Sequence, residues 1–156
     1  MRSSLRVRFC AAVVLGSFGS VPLTFADDVL AKHAQVEVLA KTNQSWNGAL
    51  LPHYTTGDPE LLIAKVTIPV GAHLPLHEHP YATAGVLLEG EIVVKTPSGE
   101  QHRLVAGEAL VELINQAHYG ENTGDVDAVI LVVYAGEKGK PVTVLLDPAS
   151  QAEGPL

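Results

Sequence analysis

From residue 35 onward the chain is a succession of short apolar, β-branched runs separated by turn residues. The runs fall at 35–39, 61–68, 85–88, 91–96, 102–105, 109–113, 128–134 and 141–145. Pro97-Ser98-Gly99 forms a tight turn, so 91–96 and 101–105 are expected to pair as a hairpin. Only 27–33 reads as helical, a single short turn with Asp27 or Asp28 as its cap. Many short strands at this spacing predict an all-β fold, either a sandwich or a closed barrel.

The amino terminus breaks the pattern. Arg2, Arg6 and Arg8 precede an apolar stretch at 9–19, and Thr24-Phe25-Ala26 offers the small residues of a cleavage site. This is the layout of a signal peptide at 1–26, removed before Asp27, and it places the protein in the periplasm or outside the cell. An uncleaved anchor is the competing reading, disfavoured because the apolar run is short. Without the leader, seven basic residues face 17 acidic ones, a net charge of −10. That acidity argues against nucleic acid as a partner, and no other run is long enough for stable membrane insertion. Cys10 leaves with the leader, which removes disulfides and thiolate chemistry from consideration.

The candidate chemistry is in histidine. His77 and His79 are two residues apart in GAHLPLHEHPYATAGVLLEG, and residues two apart on a strand share a face. His118, in LINQAHYGEN, lies in a second such segment. Three neutral nitrogen donors on two strands make a site for one divalent transition metal. Zn, Cu, Ni, Co, Fe or Mn are the candidates; loading outside the cytoplasm favours Zn or Cu over Fe.

The spacings around these histidines resemble the two motifs of the cupin family. The first runs Gly71, five residues, His77-Glu78-His79, three residues, Thr83, six residues, Gly90. The second runs Gly107, five residues, Leu113, one residue, Asn115, two residues, His118, three residues, Asn122. Leu113 stands where the family has Pro, Asn115 where it has Gly, and Thr83 where it has a metal-binding Glu. The resemblance covers about 61–134. It implies a double-stranded β-helix (a jelly-roll-like barrel) at 61–146, an N-terminal extension at 27–60 packed on it, and a loose tail at 147–156. It also implies a metal held by His77, His79 and His118 without the usual carboxylate.

Three further residues are candidates for catalysis. Glu112 lies in an apolar strand, where the resemblance implies an inward side chain; it would then serve as fourth ligand, as orienter of a histidine, or as general base. The competing register turns it to solvent. His73 is expected at the barrel rim as a substrate contact or proton carrier. Tyr81 points either inward as a donor or into the core. The expected function is binding of a small chelating organic substrate at the metal, with dioxygenase-like chemistry. The alternatives are a non-catalytic small-molecule or metal-binding cupin, and a metal-dependent isomerase or lyase. A homodimer is expected, with the strand at 142–146 covering a neighbour.

Overall fold

The computed structural model describes residues 34–147. The expected leader, the short helix at 27–33 and all but the first residue of the tail lie outside the described residues. The chain divides at Val36 into two units, and every strand below belongs to the second. In chain order the strands are β1 (Pro59–Ile68), β2 (His77–Glu78), β3 (Thr83–Glu89), β4 (Glu91–Lys95), β5 (Gln101–Val105), β6 (Ala109–Val111), β7 (Tyr119–Glu121), β8 (Ala128–Glu137) and β9 (Val144–Leu145).

They form a four-stranded sheet in the order β1-β8-β3-β6, a three-stranded sheet β5-β4-β7, and the pair β2-β9. The long ladder is β1 against β8, antiparallel from Pro59↔Glu137 to Ile68↔Ala128. Bridges His73↔Glu121 and His77↔His118 tie the segment around β2 to the segment around β7, so β2 and β9 continue the smaller sheet. Ile68, Leu87, Leu110, Ile130 and Val132 from the larger sheet pack in one cluster with Ile92, Val94 and Leu104 from the smaller. The architecture is therefore predominantly β, two sheets sharing one apolar layer.

Alternation explains most of these elements. In β4, Ile92 and Val94 are buried while Glu91, Val93 and Lys95 are not, the period of two that a half-buried strand requires. The expected hairpin is present: β4 pairs with β5 from Glu91↔Val105 to Lys95↔Gln101, and Gly99 takes φ 92° in the turn. Gly90 has φ 74°, and a Cβ there would lie 2.8 Å from Asp127 O, so this turn needs a residue without one. Residues 35–39 form no strand. Their apolar members Val36, Val38 and Leu39 stay exposed, so no burial holds the segment extended.

Within the chain β9 pairs through one edge: Val144 and Leu145 lie opposite Glu78 and His77, and Leu145 also lines the interior cavity.

Candidate metal centre

Three local features set the histidines. His77 and His118 face each other as a hydrogen-bonded antiparallel pair, each N–H donating to the other's carbonyl at 2.9 Å. Directly opposed residues project to one face, and His79 joins them because it lies two residues beyond His77. The Asn115 N–H donates to His79 O at 2.8 Å, with Asn115 at φ 55°. It is the one non-glycine residue in the left-handed region among those described, a conformation Asn tolerates better than most. Asn122 locks the far end of the motif. Its Nδ2 donates to Ile68 O and Val126 O, both at 2.8 Å, and its Oδ1 accepts from Gly124 N–H.

The three rings lie 4.5–5.0 Å apart by centroid and are all buried. Their ligand atoms lie within 4.8 Å of one another. Every Nδ1 is held by a backbone carbonyl: His77 by Pro75 O at 2.8 Å, His79 by Val142 O at 3.0 Å, His118 by Gln116 O at 2.8 Å. A carbonyl only accepts, so each Nδ1 carries the proton and each neutral ring keeps its lone pair on Nε2. Burial lowers the pKa of His77, and lowers those of His79 and His118 to about 4, so the rings are neutral at pH 7. Nε2 of His118 has no hydrogen-bond partner although it is buried. Three converging lone pairs, with tautomers fixed from outside, fit a divalent cation.

Glu112 lies beside this cluster. It follows β6 directly, and its N–H donates to Thr83 O at 2.9 Å, making the two residues cross-strand neighbours. Its side chain is buried, with Oε2 lacking a partner and lying 3.6 Å from His118 Nε2. Burial pushes its pKa up to about 7. The register that turns Glu112 to solvent is therefore not the one adopted. Thr83 is also buried, but its hydroxyl donates to Tyr81 O at 2.9 Å and the residue does not line the cavity.

The cavity over the histidines has a volume of about 240 Å³. Apart from His77, His79, His118 and Glu112, its polar side chains are Tyr134 and Thr143. Tyr134 stacks edge-on to His79 at 5.5 Å, and burial raises its pKa. Thr143 Oγ1 lies 3.3 Å from His79 Nδ1. Sequence reasoning missed both, although Tyr134 continues the inward phase of Ile130 and Val132 along β8. Two other candidates lie elsewhere. His73 is exposed and does not line the cavity, and Tyr81 lines a separate small cleft with His53 and Tyr54. Tyr81 precedes β3, where the chain is not yet extended and a period of two has no meaning.

Residues 64–134 match the family described as Cupin domain. The chain carries a cupin domain with a three-histidine cluster. No curated relative matches in sequence. Similar solved structures include a double-stranded β-helix protein from Klebsiella pneumoniae, 18% identical, covering 61% of this chain and 90% of that one at TM-score 0.49. The DMSP lyase DddQ from Ruegeria pomeroyi is 26% identical, covering 56% of this chain and 44% of that one at TM-score 0.49. A predicted oxalate decarboxylase from Thermotoga maritima is 29% identical, covering 47% and 64% at TM-score 0.43.

Proposed function

We propose that this cupin domain binds one divalent transition metal and moves protons on a small organic ligand there, as an isomerase or lyase does. The observation that carries the reading is Glu112, a buried carboxyl with a free oxygen 3.6 Å from a metal-donor nitrogen, in the same cavity. A metal there would supply Lewis acidity to a chelating carbonyl or carboxylate. His77, His79 and His118 would hold it, the carbonyls of Pro75, Val142 and Gln116 fixing their Nδ1 atoms as donors and leaving Nε2 for the ion. Glu112, as carboxylate, takes a proton from the carbon next to the ligand's carbonyl. The electron pair left behind delocalises onto that carbonyl oxygen, and the carboxyl then returns the proton to the same or a neighbouring carbon. The apolar walls keep bulk water from competing.

Enolisation needs a base beside the ligand, which Glu112 can supply, whereas dioxygenase chemistry needs in addition a metal that binds oxygen. The zinc-loaded protein in D₂O under nitrogen, with 2-oxopentanoate as a chelating probe, separates the two. Deuterium should enter at C3 by NMR with the native protein and not with Glu112→Gln. Oxygen uptake in air by protein loaded with Fe(II), with no anaerobic exchange by the zinc form, would replace this reading with the dioxygenase one.

We propose export as well, with a mature chain starting near Asp27; amino-terminal sequencing of secreted material that returned Met1 would contradict it. The homodimer is proposed through the outer face of the larger sheet, in addition to the expected strand at 142–146. The outer face of the larger sheet is apolar: Leu61 and Ile63 on β1, Leu131 and Val133 on β8, Ala84 and Leu88 on β3 are all exposed. The register places Ile63, Val133 and Ala84 in one row, with Lys65 as the charge on this part of the face. β1 is also the free edge of its sheet. A surface of one chemistry is complementary to itself about a two-fold axis, so a second copy is the partner that fits.

A further inference from the structure

Resting on the metal-binding reading, we infer that the site selects ligands with one anionic chelating end and an apolar body, and rejects those carrying a second anionic group. The cavity is polar at one end only. Away from the histidines and Glu112, its walls are Val66, Ile68, Ile92, Val94, Ile130 and Val132. Among the described lining residues there is no Lys or Arg. The alternation of the strands explains why. Lys95 and Arg103 lie on the outward phase of the smaller sheet, paired with Glu121 and Glu91, and Lys65 is exposed on the opposite phase from Val66.

A ligand's first negative charge would meet the metal. A second, one body-length away, would meet branched aliphatic side chains and no cation, since the lining residues Tyr134 and Thr143 lie beside His79 at the metal end. Desolvating such a charge without a partner is strongly unfavourable. A methyl or propyl group in the same place gains apolar burial instead. Size sets the other bound. At about 240 Å³ the cavity falls just below the roughly 300–1,000 Å³ usual for drug-sized ligand sites. That suits a short-chain 2-oxo acid.

The matched pair 2-oxopentanoate and 2-oxoglutarate tests this, because they share the chelating head and differ only in a terminal methyl or carboxylate. Zinc uptake is measured first on the sample used for ligand titration, by calorimetry. 2-Oxopentanoate should bind at least tenfold more tightly than 2-oxoglutarate. Along pyruvate, 2-oxobutanoate and 2-oxopentanoate, affinity should rise about three- to fourfold per methylene. Val94→Lys should reverse the preference; the native series decides the matter even if that variant does not fold. Equal or tighter binding of 2-oxoglutarate by protein that has taken up zinc overturns the selectivity while leaving the metal reading intact. Absence of zinc uptake overturns both.

Discussion

Glu112→Gln makes the metal-free protein more stable, and the gain depends on pH. The carboxyl's ordinary value is 4.5, and burial in the fold raises it to about 7. Between those values the folded state holds a proton that the unfolded chain releases, so stability falls as pH rises through this window. Above pH 7 the folded protein contains a buried carboxylate whose cost is fully expressed. A gap of about 2.5 pH units at about 1.4 kcal/mol each makes that cost about 3 kcal/mol at pH 8. At pH 5 the folded carboxyl is neutral while most unfolded chains have lost the proton, and the same relation leaves about 1 kcal/mol. Gln has nearly the same shape and never ionises. Urea denaturation of chelator-treated protein should therefore show Glu112→Gln stabilised by about 3 kcal/mol at pH 8 and about 1 kcal/mol at pH 5. With zinc bound, the pH 8 gain should shrink, because a cation beside the carboxylate offsets its burial. A metal-free variant that is less stable than native at pH 8, or equally stabilised at both pH values, would refute the buried, unpaired carboxyl.

His77→Ala, His79→Ala and His118→Ala should each bring zinc stoichiometry well below one, and should abolish the rise in melting temperature that zinc confers on the native protein; unchanged occupancy in all three would move the metal elsewhere. His79 and His118 act on the metal-free protein at low pH. With folded values near 4 against 6.5 unfolded, the unfolded state binds more protons in that interval, so stability is lost as pH falls from 6.5 towards 4. Replacing both with Asn should flatten this limb of the denaturation profile, and an unaltered slope would assign it to other groups. Ile63→Lys, on the outer face, should convert a homodimer to monomer by light scattering at micromolar concentration; a native protein already monomeric there would remove the dimer.

The legible part of this protein was the part encoded over short distances. His77 and His79 were readable because a period of two survives wherever the chain is extended, and the hairpin of β4 and β5 because its turn is written in Pro97-Ser98-Gly99. Asn115 stands where the motif has Gly, and its φ of 55° is the left-handed conformation that such a place accommodates. Tyr81 and Tyr134 show the limit. Both follow an inward residue by an even number, but only Tyr134 lies within a continuous strand, so only there does parity decide direction. The partner of β9 was hidden for another reason. It pairs with His77 and Glu78, far away in sequence, and a two-residue strand carries no mark of its neighbour.

The missing carboxylate joins these two limits. At position 83 a Thr stands where a metal-binding Glu was expected, and along the chain this reads as a ligand lost. Across the sheet it reads differently, because Ala84 pairs with Val111 and the Glu112 N–H donates to Thr83 O. Side chains of directly opposed residues share a face, so a carboxyl at 112 is delivered to the same side of the sheet as one at 83 would be. The short Thr side chain, its hydroxyl turned back to Tyr81 O, leaves room that a Glu at 83 would contest. Two carboxyls there could not both ionise cheaply in a buried setting, so a second would add cost without adding a second anion. On this argument Thr83 and Glu112 form one unit: the neighbouring strand places a buried carboxyl directly opposite the position where the motif lacks one.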